Sequence, residues 1–136
     1  MRLTLPTRRA LALAGIALVS LAGCQEVKSR RMVQRGNAAY YDGQYTDAVA
    51  FYEDALAKTP HLAIGWYNLG LSYLAVYAPG LKTPENEKYA ERAIDAFDKY
   101  MTAFPDDTIA RDLMIDTYIN SGRHMGAIEY FKKELA

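Results

Sequence analysis

This sequence has little cysteine and histidine and no excess of charge of either sign. Its single cysteine, Cys24, excludes an internal disulfide and any zinc site built from several cysteines. The 16 basic and 16 acidic residues cancel, whereas nucleic-acid-binding proteins present strongly basic surfaces, so nucleic acid is not an expected partner. Neither His61 nor His124 has a second histidine or a cysteine at ligand spacing, and no metal site is expected.

Motifs that carry catalysis are missing as well. The chain contains neither G-x-x-x-x-G-K nor G-x-G-x-x-G, and none of its serines lies in a nucleophile elbow. Asp112 and Asp116 are four residues apart, a spacing typical of a solvated helix face. We therefore expect a protein that is not an enzyme and binds no cofactor.

Residues 1–23 differ in kind from the rest of the chain. Three arginines and no acid occur there, and residues 10–23 are almost wholly apolar. As a helix this apolar run reaches ~21 Å, short of the ~30 Å hydrocarbon core of a bilayer. The pattern therefore favours a cleaved signal peptide over a permanent transmembrane helix.

The segment ends in Leu21-Ala22-Gly23-Cys24, which resembles the lipobox of bacterial lipoproteins. The resemblance implies cleavage before Cys24, acylation of its thiol and a lipidated linker over residues 24–28. Gln25, where an aspartate would retain a lipoprotein in the inner membrane, implies the outer membrane with the domain facing the periplasm. The inner membrane stays an alternative, and so does twin-arginine rather than general export, because Thr7-Arg8-Arg9 loosely matches that signal.

A pattern of small and large residues recurs three times after residue 28. Residues 66–73 read W-Y-N-L-G-L-S-Y, and the same phase appears before and after them. The positions that hold Gly36 and Ala48 in the first copy are 12 residues apart there and also in the third copy, where the first of them is Ile115. They are 23 residues apart in the second copy, which indicates an 11-residue insertion. The recurring positions are Gly36, Ala48, Tyr52, Pro60, Trp66, Leu69, Gly70, Tyr73, Ala93, Phe97, Pro105, Tyr118, Ala127 and Phe131.

This pattern, W-x2-L-G-x2-Y followed by A-x3-F and a proline, resembles the tetratricopeptide repeat (TPR) family. The resemblance implies an all-α solenoid of three helix-turn-helix repeats, about six antiparallel helices. The repeats are expected at 29–62, at 63–107 with the insertion, and at 108–136, the third without its end and without a capping helix. The expected helices are 30–42, 45–58, 63–77, 84–103, 107–120 and 124–135.

Turn and capping residues agree with these boundaries. Asp42-Gly43 and Ser121-Gly122 are typical of turns between helices, and Asp107 is predicted to cap the fifth helix. Thr83-Pro84-Glu85 predicts a helix that restarts after the insertion. The insertion, from Tyr77 to Thr83, is either a partner contact that projects from the edge or a tolerated surface loop.

In the TPR family, ligand peptides lie along the concave face of the first helices. The slots that face inward hold Val33, Asn37, Tyr40, Tyr41, Tyr67, Asn68, Leu71, Leu74, Asp112 and Asp116. Some members hold a carboxylate with basic residues and two asparagines. Asn37 and Asn68 occupy those asparagine slots, but the basic slots hold Val33, Ile109 and Leu113, so this binding mode is not expected.

We therefore expect a lipid-anchored envelope scaffold whose groove takes an apolar or basic peptide segment of another envelope protein, without turnover. A chaperone-like holder of exported unfolded chains is an alternative, as is a non-catalytic subunit of an envelope enzyme or of a secretion or pilus machine. Self-association through the uncapped third repeat is a further alternative. The bases Lys28, Arg30, Arg31 and Arg35 either hold the first helix against anionic headgroups or form a solvated face.

Overall fold

The computed structural model describes the backbone of residues 8–135 and the side chains of residues 24–135. That part of the chain forms six α-helices and no strand, so the predicted all-helical class is confirmed. The helices are α1 (Arg8–Tyr41), α2 (Tyr45–Lys58), α3 (Ala63–Val76), α4 (Pro84–Met101), α5 (Thr108–Asn120) and α6 (His124–Glu134). Five of them begin and end within two residues of the predicted bounds.

The first helix is the exception, because α1 begins at Arg8 and not near residue 30. Between Cys24 and Gly36 the chain has no glycine or proline, and most of its residues there are good helix formers. An i, i+4 ion pair, with Arg30 Nη2 2.7 Å from Glu26 Oε1, supports the same stretch. No proline or glycine interrupts the helix between Cys24 and Gly36, so this stretch and the first predicted repeat belong to one helix.

Each helix packs antiparallel against its neighbour in the chain. The most extensive contacts join α1 to α2 and α3 to α4, and α2–α3 and α4–α5 contacts connect these hairpins. The α5–α6 pair has the sparsest contact of the three hairpins, and α1 also touches α3. The interior is formed largely by α2, α3 and α4, with Tyr52, Tyr73 and Phe97 almost fully buried.

Glycines set the separation of helices in the first two hairpins. A Cβ placed on Gly36 would lie 2.6 Å from Tyr52 Cε1, and one on Gly70 would lie 2.8 Å from Phe97 Cε1. In both cases a bare position on the first helix accepts a ring from the second. The sequence analysis placed both glycines and both rings at recurring positions, but it did not pair each glycine with its ring.

The third hairpin reverses that arrangement. Here the ring of Tyr118, on the first helix, lies against Gly126 of the second helix. Ile115 occupies the sequence position that corresponds to Gly36 and Gly70 in the other hairpins, so this position of the third hairpin carries a side chain. Phe131, predicted as a core ring, is 45% exposed, whereas Ala127 is buried.

The other recurring positions divide between core and surface. Ala48, Leu69 and Ala93 are buried, and Trp66 is half-buried with its Nε1 donating to the Pro60 carbonyl at 2.7 Å. Pro60 and Pro105 lie exposed in the turns that follow α2 and α4.

The predicted caps and turns are present. Asp107 caps α5 by accepting from the backbone N–H groups of Ile109 and Ala110, at 3.0 and 3.1 Å. Thr83 caps α4 in the same way, accepting from the Asn86 N–H. Gly43 and Gly122 both have a φ of 75°, a left-handed conformation that other residues rarely adopt.

The insertion folds back onto the protein through one buried amide. The Asn86 side chain, 4% exposed, accepts from the Ala78 N–H and donates to the carbonyls of Ala78 and Leu81, each at 2.8 Å. Nearby, the Tyr77 hydroxyl donates to the Asn120 carbonyl at 3.0 Å. The segment thus braces the end of α5, a role that neither sequence interpretation included.

Candidate functional site

A cleft of about 100 Å³ lies between α1 and α3, on the side where these two helices approach each other. It is lined by Asn37, Tyr40, Tyr41, Tyr52, Asn68 and Leu71. Five of these six are residues that the sequence pattern placed along the inner face. Both helices contribute because α1 and α3 are the first helices of successive hairpins.

The floor of the cleft is polar and internally hydrogen-bonded. Asn37 Oδ1 accepts from the Tyr52 hydroxyl at 2.7 Å and from Asn68 Nδ2 at 2.9 Å. Burial raises the pKa of Tyr52 to about 12, so this hydroxyl stays a donor at physiological pH. Among the described residues, no protein group bonds to the Asn37 NH₂ or to the Asn68 side-chain oxygen. One donor group and one acceptor therefore remain for a ligand.

The wall of the cleft is aromatic. The Tyr40 ring makes edge contacts with Tyr41, centroids 6.2 Å apart, and with Tyr45, 5.2 Å apart. Tyr41 is nevertheless 85% exposed, whereas Tyr40 is half-buried and burial raises its pKa. The exposed Tyr41 ring, in edge contact with the half-buried Tyr40 ring, offers a large contact area, and a tyrosine side chain has few rotatable bonds to order on binding.

The remaining residues predicted for the groove lie elsewhere. Val33 is buried, and Leu74 is half-buried at the edge of the core. Tyr67 packs against Phe97 and Tyr100, with centroids 5.9 and 5.0 Å away, and does not line the cleft. The acids Asp112 and Asp116 are exposed on α5 and do not line it either.

Tyr52 is the cleft residue that sequence reasoning assigned to the core alone. Its ring is indeed buried, at 1% exposure, but its hydroxyl reaches the cleft floor. The corresponding slot of the second hairpin holds Phe97, which has no hydroxyl. That tyrosine-for-phenylalanine difference is the signal in the sequence that could have identified it.

A second polar cluster joins three helices on another face. The Tyr73 hydroxyl donates to Glu53 Oε1 at 2.5 Å, and Arg92 Nη1 lies 2.8 Å from both of these oxygens. Burial, with the hydrogen bond to Glu53, raises the pKa of Tyr73 to about 12. The adjoining hollow of about 430 Å³ includes Trp66, whose ring lies under Lys99 Nζ at 4.4 Å. Because its charges are already paired, this cluster serves to tie α2, α3 and α4 together.

The predicted signal peptide and lipidated linker are described only from Cys24 onward at the level of side chains. Cys24 is exposed on α1, with a free thiol. The predicted signal peptide and the lipobox residues Leu21, Ala22 and Gly23 lie outside the residues whose side chains are described. Within the described part of the chain, no helix combines the length and apolar character needed to cross a bilayer.

The described residues contain no candidate metal site. No group of three or more histidine, cysteine or carboxylate side chains comes together there. His61 and His124 are both exposed and lie in different hairpins. Comparison with known proteins adds no assignment: no protein-family model matches the chain, and no curated protein matches it.

Proposed function

We propose that the chain is a lipid-anchored scaffold of the tetratricopeptide-repeat type, which binds a peptide segment of another envelope protein and catalyses no reaction. Support for the repeat type comes from three successive antiparallel hairpins, in which five of the six helices begin and end within two residues of the predicted bounds. The glycine-to-ring contacts of Gly36 and Gly70 repeat in phase in two of them. The cleft lies between α1 and α3, the first helices of the first two hairpins, which is where a solenoid of this type would bind an extended ligand.

The observation that carries the proposal is the chemistry of the cleft. A peptide unit has one N–H donor and one C=O acceptor, and the cleft offers one unused acceptor on Asn68 and an unused donor group on Asn37. Tyr41 stands beside them with 85% of its surface free to cover an apolar side chain. Polar groups that fix a backbone next to an aromatic surface are what recognition of an extended peptide requires.

The composition of the ligand follows from the charges near the cleft. No basic side chain lines it, so a free carboxylate would be left without a partner. Asp42 follows Tyr41 directly and is exposed, which favours a basic residue in the ligand. We therefore expect internal peptide segments of apolar or basic character, bound independently of their C-terminal carboxylate.

The exposed thiol of Cys24 supports the anchor. Acylation requires an accessible sulfur, and two or more acyl chains hold a protein stably at a bilayer. An outer-membrane anchor with the domain in the periplasm fits Gln25 at the position that follows. Mass spectrometry of the protein purified from membranes tests this part alone.

Binding to labelled synthetic peptides of apolar, basic-apolar and acidic composition tests the cleft. Two variants remove its chemistry while leaving the packing: Tyr41→Ala truncates the exposed ring, and Tyr52→Phe deletes one hydroxyl. Two matched controls lie outside the cleft. Phe131→Ala truncates another exposed aromatic side chain, and Tyr77→Phe deletes another tyrosine hydroxyl.

We expect Tyr41→Ala to weaken binding of the preferred peptide class by about tenfold or more, as loss of an aromatic anchor does at interfaces. Tyr52→Phe should also weaken it, by a smaller factor, because it removes the hydrogen bond that orients the Asn37 amide. The two controls should bind as the unmodified chain does. Equal affinity for all apolar sequences, with no effect of Tyr52→Phe, would instead indicate the chaperone-like holder. Equal losses in the controls and the cleft variants would refute the cleft as the binding site.

A further inference from the structure

Three bases on α1 share one face of the helix with the anchor cysteine. At ~100° per residue, Cys24, Lys28, Arg31 and Arg35 fall within ~60° of one another around the helix axis. The same three bases line a hollow of about 380 Å³ together with Lys58 of α2. We call Lys28, Arg31 and Arg35 the basic stripe.

The charges of the basic stripe are not neutralised within the protein. Among residues 24–135, no carboxylate lies within ion-pair distance of Lys28, Arg31 or Arg35. The two bases beside the stripe differ in this respect, because Arg30 pairs with Glu26 at 2.7 Å and Lys58 with Asp54 at 2.5 Å. Since the chain carries equal numbers of bases and acids, the stripe is a local concentration of positive charge and not a consequence of composition.

The position of Arg35 is held by its neighbours. Its guanidinium carbon lies 4.4 Å from the centroid of the Phe51 ring, and Nη1 is 3.9 Å from Met32 Sδ. A cation stacked on an aromatic face keeps its charge while part of its motion is already restricted. The far end of the stripe is therefore positioned before any ligand arrives.

We infer that the basic stripe docks on an anionic bilayer, so that α1 lies along the membrane surface with Cys24 and the three bases facing the headgroups. The stripe extends ~16 Å along the helix from Cys24, so an acylated Cys24 would bring every base within reach of the surface. An acidic protein could also pair with three bases, but the cysteine on the same face favours the bilayer.

The cleft would then face away from the membrane. Asn37, Tyr40 and Tyr41 are centred roughly 160° around the helix from the basic stripe. With the stripe on the headgroups, the cleft is presented to the periplasm, where a partner segment can reach it. This inference rests on the proposed lipid anchor and makes the orientation of the domain a property of α1.

The test measures binding of the full chain to two kinds of vesicle, pure phosphatidylcholine and equimolar phosphatidylcholine and phosphatidylglycerol. The ratio of the two partition coefficients isolates the charge effect, because acyl chains and apolar segments contribute to both. Each base near an anionic surface adds about fivefold to binding, so the three together give a ratio of about 100 at low salt. Raised salt should reduce the ratio.

The triple variant Lys28→Gln, Arg31→Gln, Arg35→Gln should bring the ratio close to that of an uncharged surface. The control Lys88→Gln, Lys132→Gln, Lys133→Gln removes the same charge from exposed positions on α4 and α6 and should keep the ratio high. A wild-type ratio near one, or an equal loss in the control, would overturn the inference. If the proposed lipid anchor is wrong, the chain should bind weakly to vesicles of pure phosphatidylcholine, a result separate from the ratio. If the proposed peptide cleft is wrong, only the peptide-binding assay is affected.

Discussion

The contact between Gly70 and Phe97 provides the sharpest test of how these helices pack. A methyl group at Gly70 would lie 2.8 Å from Phe97 Cε1 and Cζ and 3.1 Å from Cδ1, distances that packed carbon atoms do not tolerate. Phe97 is fully buried, so its ring has no free space to move into. Gly70→Ala should therefore strain the α3–α4 hairpin by about 1–3 kcal/mol, the usual cost of overpacking a core.

The single variant is a poor measure of this strain. Alanine is favoured over glycine inside a helix by about 1 kcal/mol, which offsets part of the cost. A double-mutant cycle with Phe97→Leu removes the difficulty, because the helix-propensity gain is present in both arms and cancels. Leucine lacks the outer atoms of the ring, so it relieves the two shortest contacts, and the double variant should be more stable than the sum of the singles by about 1–3 kcal/mol.

The cycle is measured by equilibrium urea unfolding, followed by far-ultraviolet circular dichroism and by fluorescence of the single tryptophan. Trp66 lies at the start of α3 against Lys99 of α4, so its emission reports on this hairpin. Combining Gly70→Ala with Tyr118→Leu, in another hairpin, is the control and should be additive. A coupling energy between Gly70 and Phe97 below about 0.5 kcal/mol, within the usual error of additivity, would refute the packing described here.

Three further predictions follow from hydrogen bonds and pKa shifts. Asn86→Ala, unlike Asn120→Ala, should lower the free energy of unfolding by about 2–3 kcal/mol and speed tryptic cleavage after Lys82, because three backbone groups of the insertion lose their partner. Asp107→Ala should lower the melting temperature more than Asp106→Ala. Backbone N–H groups hold the Asp107 pKa below its usual value, so this difference should disappear on acidification through that pKa. Burial is the main cause that raises the pKa values of three tyrosines to about 12. The free energy of unfolding should therefore hold up to pH 10 and fall between pH 10 and about 12, and phenolate absorbance should rise at higher pH than in the unfolded chain. Phenolate titration in step with the unfolded chain would contradict this prediction. These tyrosines are Tyr52, Tyr73 and Tyr100.

The helix boundaries were predictable because they depend on local chemistry. Caps, prolines and glycines at turns act over three or four residues, and this sequence has one at nearly every boundary. The start of α1 was predicted wrongly for the same reason, since the repeat pattern begins near residue 30 while no local signal ends the helix there. The recurring pattern indicates where the first predicted repeat begins, but a helix continues through any stretch in which no cap or proline ends it.

Side-chain contacts between elements were harder to predict. The third hairpin has Ile115 where the other two have a glycine, and its close contact is instead Tyr118 against Gly126, a pairing that is visible only after the partner helix has been placed. The docking of the insertion depends on hydrogen bonds from the Asn86 side chain to the loop backbone, and no local sequence signal marks this helix residue as their source. Five of the six cleft residues are among those that the resemblance to the TPR family placed on the inner face, whereas the hydroxyl of Tyr52 enters from a residue that the recurring pattern assigns to the core.

The sequence positions that form the cleft recur one hairpin later, on α3, α4 and α5, and there they hold different residue types. Asn37 follows the Gly36 slot, and the corresponding residue of the second repeat is Leu71. Asn68 precedes the Gly70 slot by two, and the third repeat has Leu113 there. Phe97 replaces Tyr52. The first set of positions, at the cleft, thus holds a hydrogen-bonded chain of polar groups, whereas the second set holds apolar residues at all three positions. An extended ligand would therefore be fixed in register by its backbone only at the cleft, and any continuation toward α5 would depend on apolar contact.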